Sequence, residues 1–173
     1  MPSIEQFAKD IGILKPSKYT IDIISAPVTF VTGIGDDNSI IAESVTFPGR
    51  SIASIERRVT HGPIREMPYE RLYAGDIEMV FAHEVDYVRM KVEEWMDIII
   101  SEDNVINSDY DKYSATIQIS VLDEEDNSPV MFCRIKESWP KSINQVQLGY
   151  GMFDDYIKMS VSFSFREVEY FNS

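Results

Sequence analysis

Carboxylates, two histidines and one cysteine are the side chains of this sequence that could take part in a reaction. The 173 residues contain 29 Asp and Glu, together with His61, His83 and Cys133. Two suitably placed carboxylates are enough to hydrolyse a glycosidic bond. Four consecutive carboxylates, residues 123–126, lie in a predicted turn, where most of them must face water. A carboxylate-dependent hydrolase is therefore an unfavoured alternative.

The histidines and the cysteine lack the spacing of metal sites and of nucleophilic catalysis. His61 and His83 lie 22 residues apart in different predicted elements, without an i, i+4 partner or a cysteine pair. A single cysteine forms no internal disulfide and no two-thiol redox motif. The sequence also lacks glycine-rich phosphate-binding motifs, GxSxG and HExxH. We therefore predict a protein that is not an enzyme and that holds no metal or cofactor.

Length and composition predict one soluble globular domain. At 19.9 kDa, with 44% hydrophobic residues, the chain can bury one core, so residues 1–173 are assigned to a single domain. No segment approaches the roughly 18 apolar residues that span a bilayer, and the first residues lack a secretory signal pattern. We expect no membrane insertion and synthesis in a cytoplasm. The net charge of −13 argues against a conventional nucleic-acid binder.

One segment departs from this acidity. Residues 50–71 contain five arginines against three glutamates, a net charge of +2, which leaves −15 on the rest of the chain. Arginine, methionine and tyrosine are enriched at protein interfaces, and a basic arm would complement the acidic remainder of an identical copy. A heterologous contact of this kind builds rings or stacks. The alternative is a mobile loop on which the arginines are merely solvated. The candidate self-assembly residues are Arg50, Arg57, Arg58, Arg65, Met67, Tyr69 and Arg71.

One internal helix is predicted from apolar residues at helical spacing. Val88, Val92, Trp95 and Ile99 are separated by four, three and four residues, and Asp86 suits the first turn. A second helical signal lies at the N-terminus, where Ser3 and Gln6 match a capping box and residues 1–16 are predicted to form a helical arm.

Strict alternation of apolar and polar residues predicts the strands. The clearest pattern is residues 157–165, whose polar face offers Ser160, Ser162 and Ser164. Residues 130–136 form another predicted strand, which Trp139-Pro140 is expected to end. The strand residues predicted for the core are Ile117, Ile119, Val161 and Phe163, next to the four helical residues above. About seven or eight strands and one good helix predict a mainly β fold with a flanking α-helix, built as two packed antiparallel β-sheets or a barrel.

The order of these segments resembles the tail tube proteins of contractile-tailed, T4-like bacteriophages. The resemblance runs from about Tyr19 to Tyr170. The matching features are a Pro48-Gly49 turn, Tyr73-Ala-Gly-Asp before a strand, Trp95 in the helix and Trp139-Pro140 before the penultimate strand. The segments that carry it are FPGRSIASIERR, PIREMPYERLYAGDIEMVF, EEWMDII, YSATIQISVLD, FCRIKESWPKSINQVQLGY and IKMSVSFSF.

The resemblance implies a barrel-like tail tube fold and a structural function. Such subunits form hexameric rings that stack into a hollow tube, and residues 51–69 take the place of the long hairpin that reaches the adjacent ring. The implied partners are further copies of the chain, the tail sheath, the baseplate or tube initiator, the tape measure protein and the tail terminator. The implied location is the virion tail, assembled in the cytoplasm of the bacterial host.

The acidity of the chain suits a channel for nucleic acid. A lumen lined by carboxylates and serines lets double-stranded DNA, with its closely spaced phosphate charges, slide without adhering. Ser160, Ser162 and Ser164 are the residues that we expect to face this lumen. Two alternatives of the same kind are the tube of a type VI-like secretion system and a baseplate initiator. A third is a small β-barrel ligand-binding protein, with a cavity lined by Phe132, Trp139, Phe163 and Phe165.

Overall fold

The computed structural model of the chain describes eight segments. They are residues 16–30, 39–58, 62–82, 85–100, 105–106, 109–123, 127–146 and 156–172. The predicted N-terminal helical arm, residues 1–16, therefore lies outside the described residues except for Pro16. His61 and His83 also lie outside them.

Ten strands and two helices form in the described part of the chain. The strands are β1 Tyr19–Ile24, β2 Ser39–Ile40, β3 Ser44–Val45, β4 Gly49–Arg57, β5 Arg65–Ala74, β6 Ile77–Phe81, β7 Ala115–Leu122, β8 Pro129–Ile143, β9 Met159–Ser164 and β10 Glu167–Asn172. The helices are α1 Val85–Ile99 and α2 Tyr110–Tyr113.

The long strand β8 joins two antiparallel sheets. Its first part pairs with β7 on one edge and with β10 on the other, and β7 continues through β1 to β2. Its second part pairs with β9, which continues through β6 to β3. The mainly β, antiparallel, two-sheet class is confirmed. The barrel is not closed, since the hydrogen-bonded path ends at β2 and β3.

A bend at Glu137 carries β8 from one sheet to the other. Glu137 has a φ of 54°, a left-handed conformation that is uncommon for a side chain other than glycine, asparagine or aspartate. Next to it, the buried Ser138 Oγ donates a hydrogen bond of 2.9 Å to the Ala115 carbonyl oxygen. Arg166 Nη1 lies 2.9 Å from Glu137 Oε1, so an ion pair ties β8 to the β9–β10 connection at the same level. The Ser138 hydrogen bond and the Arg166 ion pair therefore both stabilise the bend.

The expectation that Trp139-Pro140 ends this strand is wrong. Trp139 pairs with Ser164 and Pro140 with Phe163, and β8 continues to Ile143. Proline has no N–H for the sheet, and it is tolerated in strands mainly at edges and irregularities. The register shift between Pro140 and Ser142 is such an irregularity.

The core lies between the two sheets and under α1. Trp95 is fully buried, its Nε1 donates a hydrogen bond of 2.7 Å to the Tyr113 carbonyl oxygen, and its ring contacts Phe30 and Phe163. Burying an apolar side chain of this kind contributes about 1.5–3 kcal/mol. The eight residues that the sequence assigns to the core are all buried: Val88, Val92, Trp95, Ile99, Ile117, Ile119, Val161 and Phe163.

Candidate self-assembly surface

Strands β4 and β5 form a two-stranded hairpin that is a sheet of its own. Almost every side chain on it is exposed, and large apolar residues are among them: Ile52 is 64% exposed and Tyr69 is 67% exposed. An isolated two-stranded hairpin is at best marginally stable in water. A hairpin that leaves so much apolar surface in water is typical of a segment that docks on another molecule.

The root of the hairpin is fixed to the body of the protein. Tyr170 of β10 donates a hydrogen bond of 3.3 Å from its hydroxyl to the Pro48 carbonyl oxygen. The ring of Tyr73 packs edge-on against Phe165, with the ring centroids 5.6 Å apart. Gly75, with a φ of 74°, then turns the chain from β5 into β6. These contacts hold the direction in which the hairpin leaves the body.

The candidate self-assembly residues lie together on this hairpin. Six of them belong to its strands, and Arg58 directly follows β4. All of them are exposed. The family resemblance placed the long hairpin at residues 51–69, whereas the paired strands run from Gly49 to Ala74. The pairing is interrupted only once, at Ala53/Ser54, where the register shifts.

A second candidate surface is the outer face of β9. Ser160, Ser162 and Ser164 are half-buried there and alternate with the buried Met159, Val161 and Phe163. Their neighbours across the strands include Ser142 of β8 and Glu78 of β6. The four serines therefore lie beside Glu78 and Val80, and Ser164 pairs with Trp139. Neither Ser142 nor Glu78 could be assigned to it from the sequence, because the pairing of distant strands leaves no local pattern.

The lysines around this face are paired with carboxylates. Lys141 Nζ lies 2.7 Å from Asp76 Oδ2, and Lys158 Nζ lies 2.6 Å from Glu43 Oε1. The hydrogen bond to Glu43 holds the pKa of the Lys158 ammonium above its ordinary value. Both pairs are partly exposed, and pairs of this kind contribute little to stability. A carboxylate therefore compensates the positive charge of each of these two lysines beside the serine face.

Of the four aromatic residues proposed for a ligand cavity, Phe163 belongs to the core, Trp139 and Phe165 are half-buried and pack against that core, and Phe132 lies in the first sheet. Phe163 is buried and faces Trp95, inside the second sheet. Trp139 pairs with Ser164 and packs against the core. Phe132 lies opposite Phe171 and Ser120 in the first sheet. The arrangement therefore gives no support to the ligand-binding alternative.

Two features of the described residues bear on other kinds of site. Within these residues, His, Cys, Asp and Glu form no group of three that could hold a metal ion. No helix in the same segments is both long and apolar enough to cross a membrane.

Comparison with known proteins identifies the family. The family model described as phage tail tube protein matches residues 14–170. No curated protein matches the chain. Among solved structures, the fold is similar to a chain of the PVC sheath–tube complex of an extracellular contractile injection system in its extended state, with a TM-score of 0.70, 15% identity and 100% of both chains covered.

Two further structures share the fold. A chain of the anti-feeding prophage baseplate, determined with six-fold symmetry, has a TM-score of 0.67 at 8% identity, over 92% of this chain and 96% of that one. A type six secretion system protein has a TM-score of 0.54 at 10% identity, over 88% of this chain and 82% of that one. The family match covers nearly the whole sequence, and the fold agrees with it: the chain belongs to the phage tail tube protein family and is a structural subunit of a virion tail tube.

Proposed function

We propose that this protein forms rings that stack into the tube of a contractile phage tail, and that the β4–β5 hairpin makes the contact between rings. The exposed hairpin is the observation that carries the proposal. Its apolar and arginine side chains find few partners on the body of the same chain, and the body carries the opposite net charge. A second copy supplies both an apolar surface and carboxylates. The protein has no catalytic part in this function.

Six copies per ring is the number that we propose. The support is the shared fold, because the anti-feeding prophage baseplate was determined with six-fold symmetry. Joining neighbouring subunits would also cover strand edges that have no partner strand among the described residues, such as the outer edge of β10. Open edges otherwise invite uncontrolled pairing with other chains.

The lumen of the tube would be lined in part by the serine face of β9, and double-stranded DNA would pass along it. Small hydroxyl groups offer no cation to which phosphates could adhere, and the net charge of −13 repels them. On this proposal the acidity of the chain serves the passage of DNA rather than its binding. A tube of a secretion or injection system is the second candidate, supported by the likeness to the PVC complex over the full length of both chains.

The remaining surfaces would contact other tail proteins. We propose that the tail sheath covers the outside, that the baseplate or tube initiator and the tail terminator contact the two ends, and that the tape measure protein occupies the lumen before DNA. The support is that the PVC neighbour is a complex of sheath and tube. Assembly would take place in the cytoplasm of the bacterial host.

The contact between rings can be tested on the exposed apolar residues of the hairpin. We expect Ile55→Ser with Met67→Ser to leave the melting temperature of the subunit unchanged, since both side chains are exposed, and to abolish tubes. The measurement is negative-stain electron microscopy and sedimentation of concentrated protein. Met90→Ser is the matched control, because Met90 is 63% exposed on α1 and should assemble normally. Long tubes formed by the double variant would contradict the proposal.

A further inference from the structure

The hairpin leaves the second sheet at one end, and the other end of that sheet lies well away from it. Two residues connect β5 to β6, whose first residue, Ile77, pairs with Phe163. At the other end of β6, Phe81 pairs with Met159. At about 3.3 Å per residue, the two ends lie about 13 Å apart along β6. Residues 156–158 directly precede β9 and therefore lie at the end away from the hairpin root.

This distant end exposes apolar side chains. Tyr156 is 57% exposed and Ile157 is 49% exposed. The Tyr156 hydroxyl donates a hydrogen bond of 3.3 Å to Glu43 Oε1, so the segment before β9 lies against the segment before β3. Ile41, two residues before Glu43, is exposed as well. We call Ile41, Tyr156 and Ile157 the far-end patch.

A pair of charges holds the ring of Tyr156 in this patch. Lys158 Nζ lies 4.7 Å from the centroid of the ring and 2.6 Å from Glu43 Oε1. Because the Glu43 carboxylate compensates the charge of Lys158, the pair repels an approaching cation less than a lone lysine would. More than half of Tyr156 remains exposed, which leaves ring surface for a second cation. Arginine stacks on tyrosine rings in this way.

The β4–β5 hairpin carries the groups that match the far-end patch. Ile55 and Met67 are exposed on it and offer apolar surface. Five arginines of the same segment are exposed, and none of them forms an ion pair in the described part of the chain. These arginines are Arg50, Arg57, Arg58, Arg65 and Arg71. The hairpin thus combines apolar side chains with uncompensated cations, and the patch combines apolar side chains with an aromatic ring that accepts a cation.

We propose that the far-end patch receives the β4–β5 hairpin of a copy in the adjacent ring. The inference rests on the proposed function and names the surface on which the hairpin docks. Apolar residues of the hairpin cover Ile41 and Ile157, and a hairpin arginine lies against the ring of Tyr156. The hairpins run from one ring to the next within the tube wall, so the channel stays open.

The positions of the two surfaces agree with a stack. The hairpin leaves at one end of the second sheet, and the far-end patch lies at the other end of the same sheet. A contact between two different surfaces is heterologous. When the two surfaces lie at opposite ends of the subunit, each ring binds the next in the same direction and the contact repeats along the axis. A receiving surface beside the hairpin root would not continue the stack in this way.

Substitution of the far-end patch tests the receiving side. We expect Tyr156→Ser with Ile157→Ser to leave the melting temperature unchanged, since both side chains are exposed, and to abolish tubes in electron microscopy and sedimentation. Tyr156→Phe keeps the ring and should still form tubes. The matched control is Ile106→Ser, because Ile106 is similarly exposed on the connection between α1 and α2 and should assemble normally. Normal tubes from the double variant would overturn the inference.

The charge of Lys158 gives a test that a merely structural role would not pass. Glu43→Gln leaves this lysine uncompensated beside Tyr156, where it repels the arginines of the incoming hairpin. We expect this variant to need a higher protein concentration to form tubes, and Glu43→Gln with Lys158→Gln to return to the wild-type concentration. A double variant that stays impaired, or equal concentrations for all three proteins, would contradict the docking of an arginine at Tyr156.

Cross-linking reports the contact directly. In the Cys133→Ala background, Met67→Cys with Ile157→Cys should give a ladder of linked subunits when assembled tubes are treated with a short bis-maleimide. Each single cysteine should give none, because the contact joins two different surfaces. Tubes that form without a ladder would overturn the inference and leave the tube function intact, whereas the absence of tubes from the unchanged protein would refute that function itself.

Discussion

Cys133 lies fully buried between the two sheets. Burial raises the pKa of its thiol from 9.0 to about 11, and a hydrogen bond with Tyr170 opposes part of this rise. The raised pKa means that the folded protein holds the thiol proton more tightly than the unfolded chain does. The stability that this provides is fully present below about pH 9 and is lost as the pH rises toward 11.

We therefore expect Cys133 to contribute to alkaline unfolding. Between about pH 8 and pH 10.5, the wild-type protein should lose about 2 kcal/mol of unfolding free energy through this group. Cys133→Ala removes the group, so the free-energy difference between wild type and variant should shrink by that amount. Urea denaturation of both proteins at the two pH values measures it. Tyr19 and Tyr110, whose pKa values are also raised, titrate in both proteins and cancel in the comparison. Burial raises the pKa of Tyr170 and Cys133 raises it further, so the variant removes that second contribution as well. A difference that stays constant with pH would contradict the assignment.

At the scale of the element, the bend in β8 depends on the backbone of Glu137. A left-handed conformation is tolerated by asparagine and is strongly unfavourable for a β-branched side chain. We expect Glu137→Val to lower the unfolding free energy by about 1–2 kcal/mol relative to Glu137→Asn. Both variants lose the ion pair with Arg166, so their difference isolates the backbone effect. Equal stability of the two variants in chemical denaturation would show that the bend has another origin.

Several elements follow directly from the sequence. The stripe of Val88, Val92, Trp95 and Ile99 predicted α1, and all four side chains are buried. Alternation predicted the central part of β9, where Val161 and Phe163 face inward. These patterns are visible in the sequence because each element has one face in the core and one face outside it. The class of two antiparallel sheets followed from the number of such strands.

Other elements depend on pairing that the sequence does not display. β8 continues past Pro140 because β9 provides a partner and a register shift accommodates the missing N–H. β10 carries Tyr170 and Phe171 on exposed positions, so its alternation is weak, and only its pairing with β8 makes it a strand. The net positive charge of residues 50–71 identified the hairpin segment in the sequence. The register shift at Ala53/Ser54 becomes visible only in the pairing with β5.

At the scale of the whole molecule, the serine face and the net charge give a test of the lumen. Ser160→Lys, Ser162→Lys and Ser164→Lys add three positive charges to the outer face of β9. If this face lines the channel, the variant tubes should hold double-stranded DNA, because lysine neutralises phosphates and releases counterions. We expect DNA to sediment with these tubes and to be protected from nuclease. Wild-type tubes should hold none.

A control with the same added charge distinguishes DNA held in the lumen from DNA bound to the outside of the tube. Met90→Lys, Glu94→Gln and Asp97→Asn add the same three charges to exposed positions on α1. DNA bound there would remain open to nuclease. Equal protection by both sets of tubes, or nuclease-sensitive DNA on the serine-face variant, would show that the β9 face does not line the channel.

The strand shared by the two sheets has a mechanical consequence. Pulling on either sheet loads β8, and the Glu137 bend passes the force to the other sheet through the Ser138 and Arg166 contacts. Neither half can peel away while the other stays intact, so the subunit should yield as one piece. A tube wall made of such units would then resist shear as whole subunits rather than as separate halves.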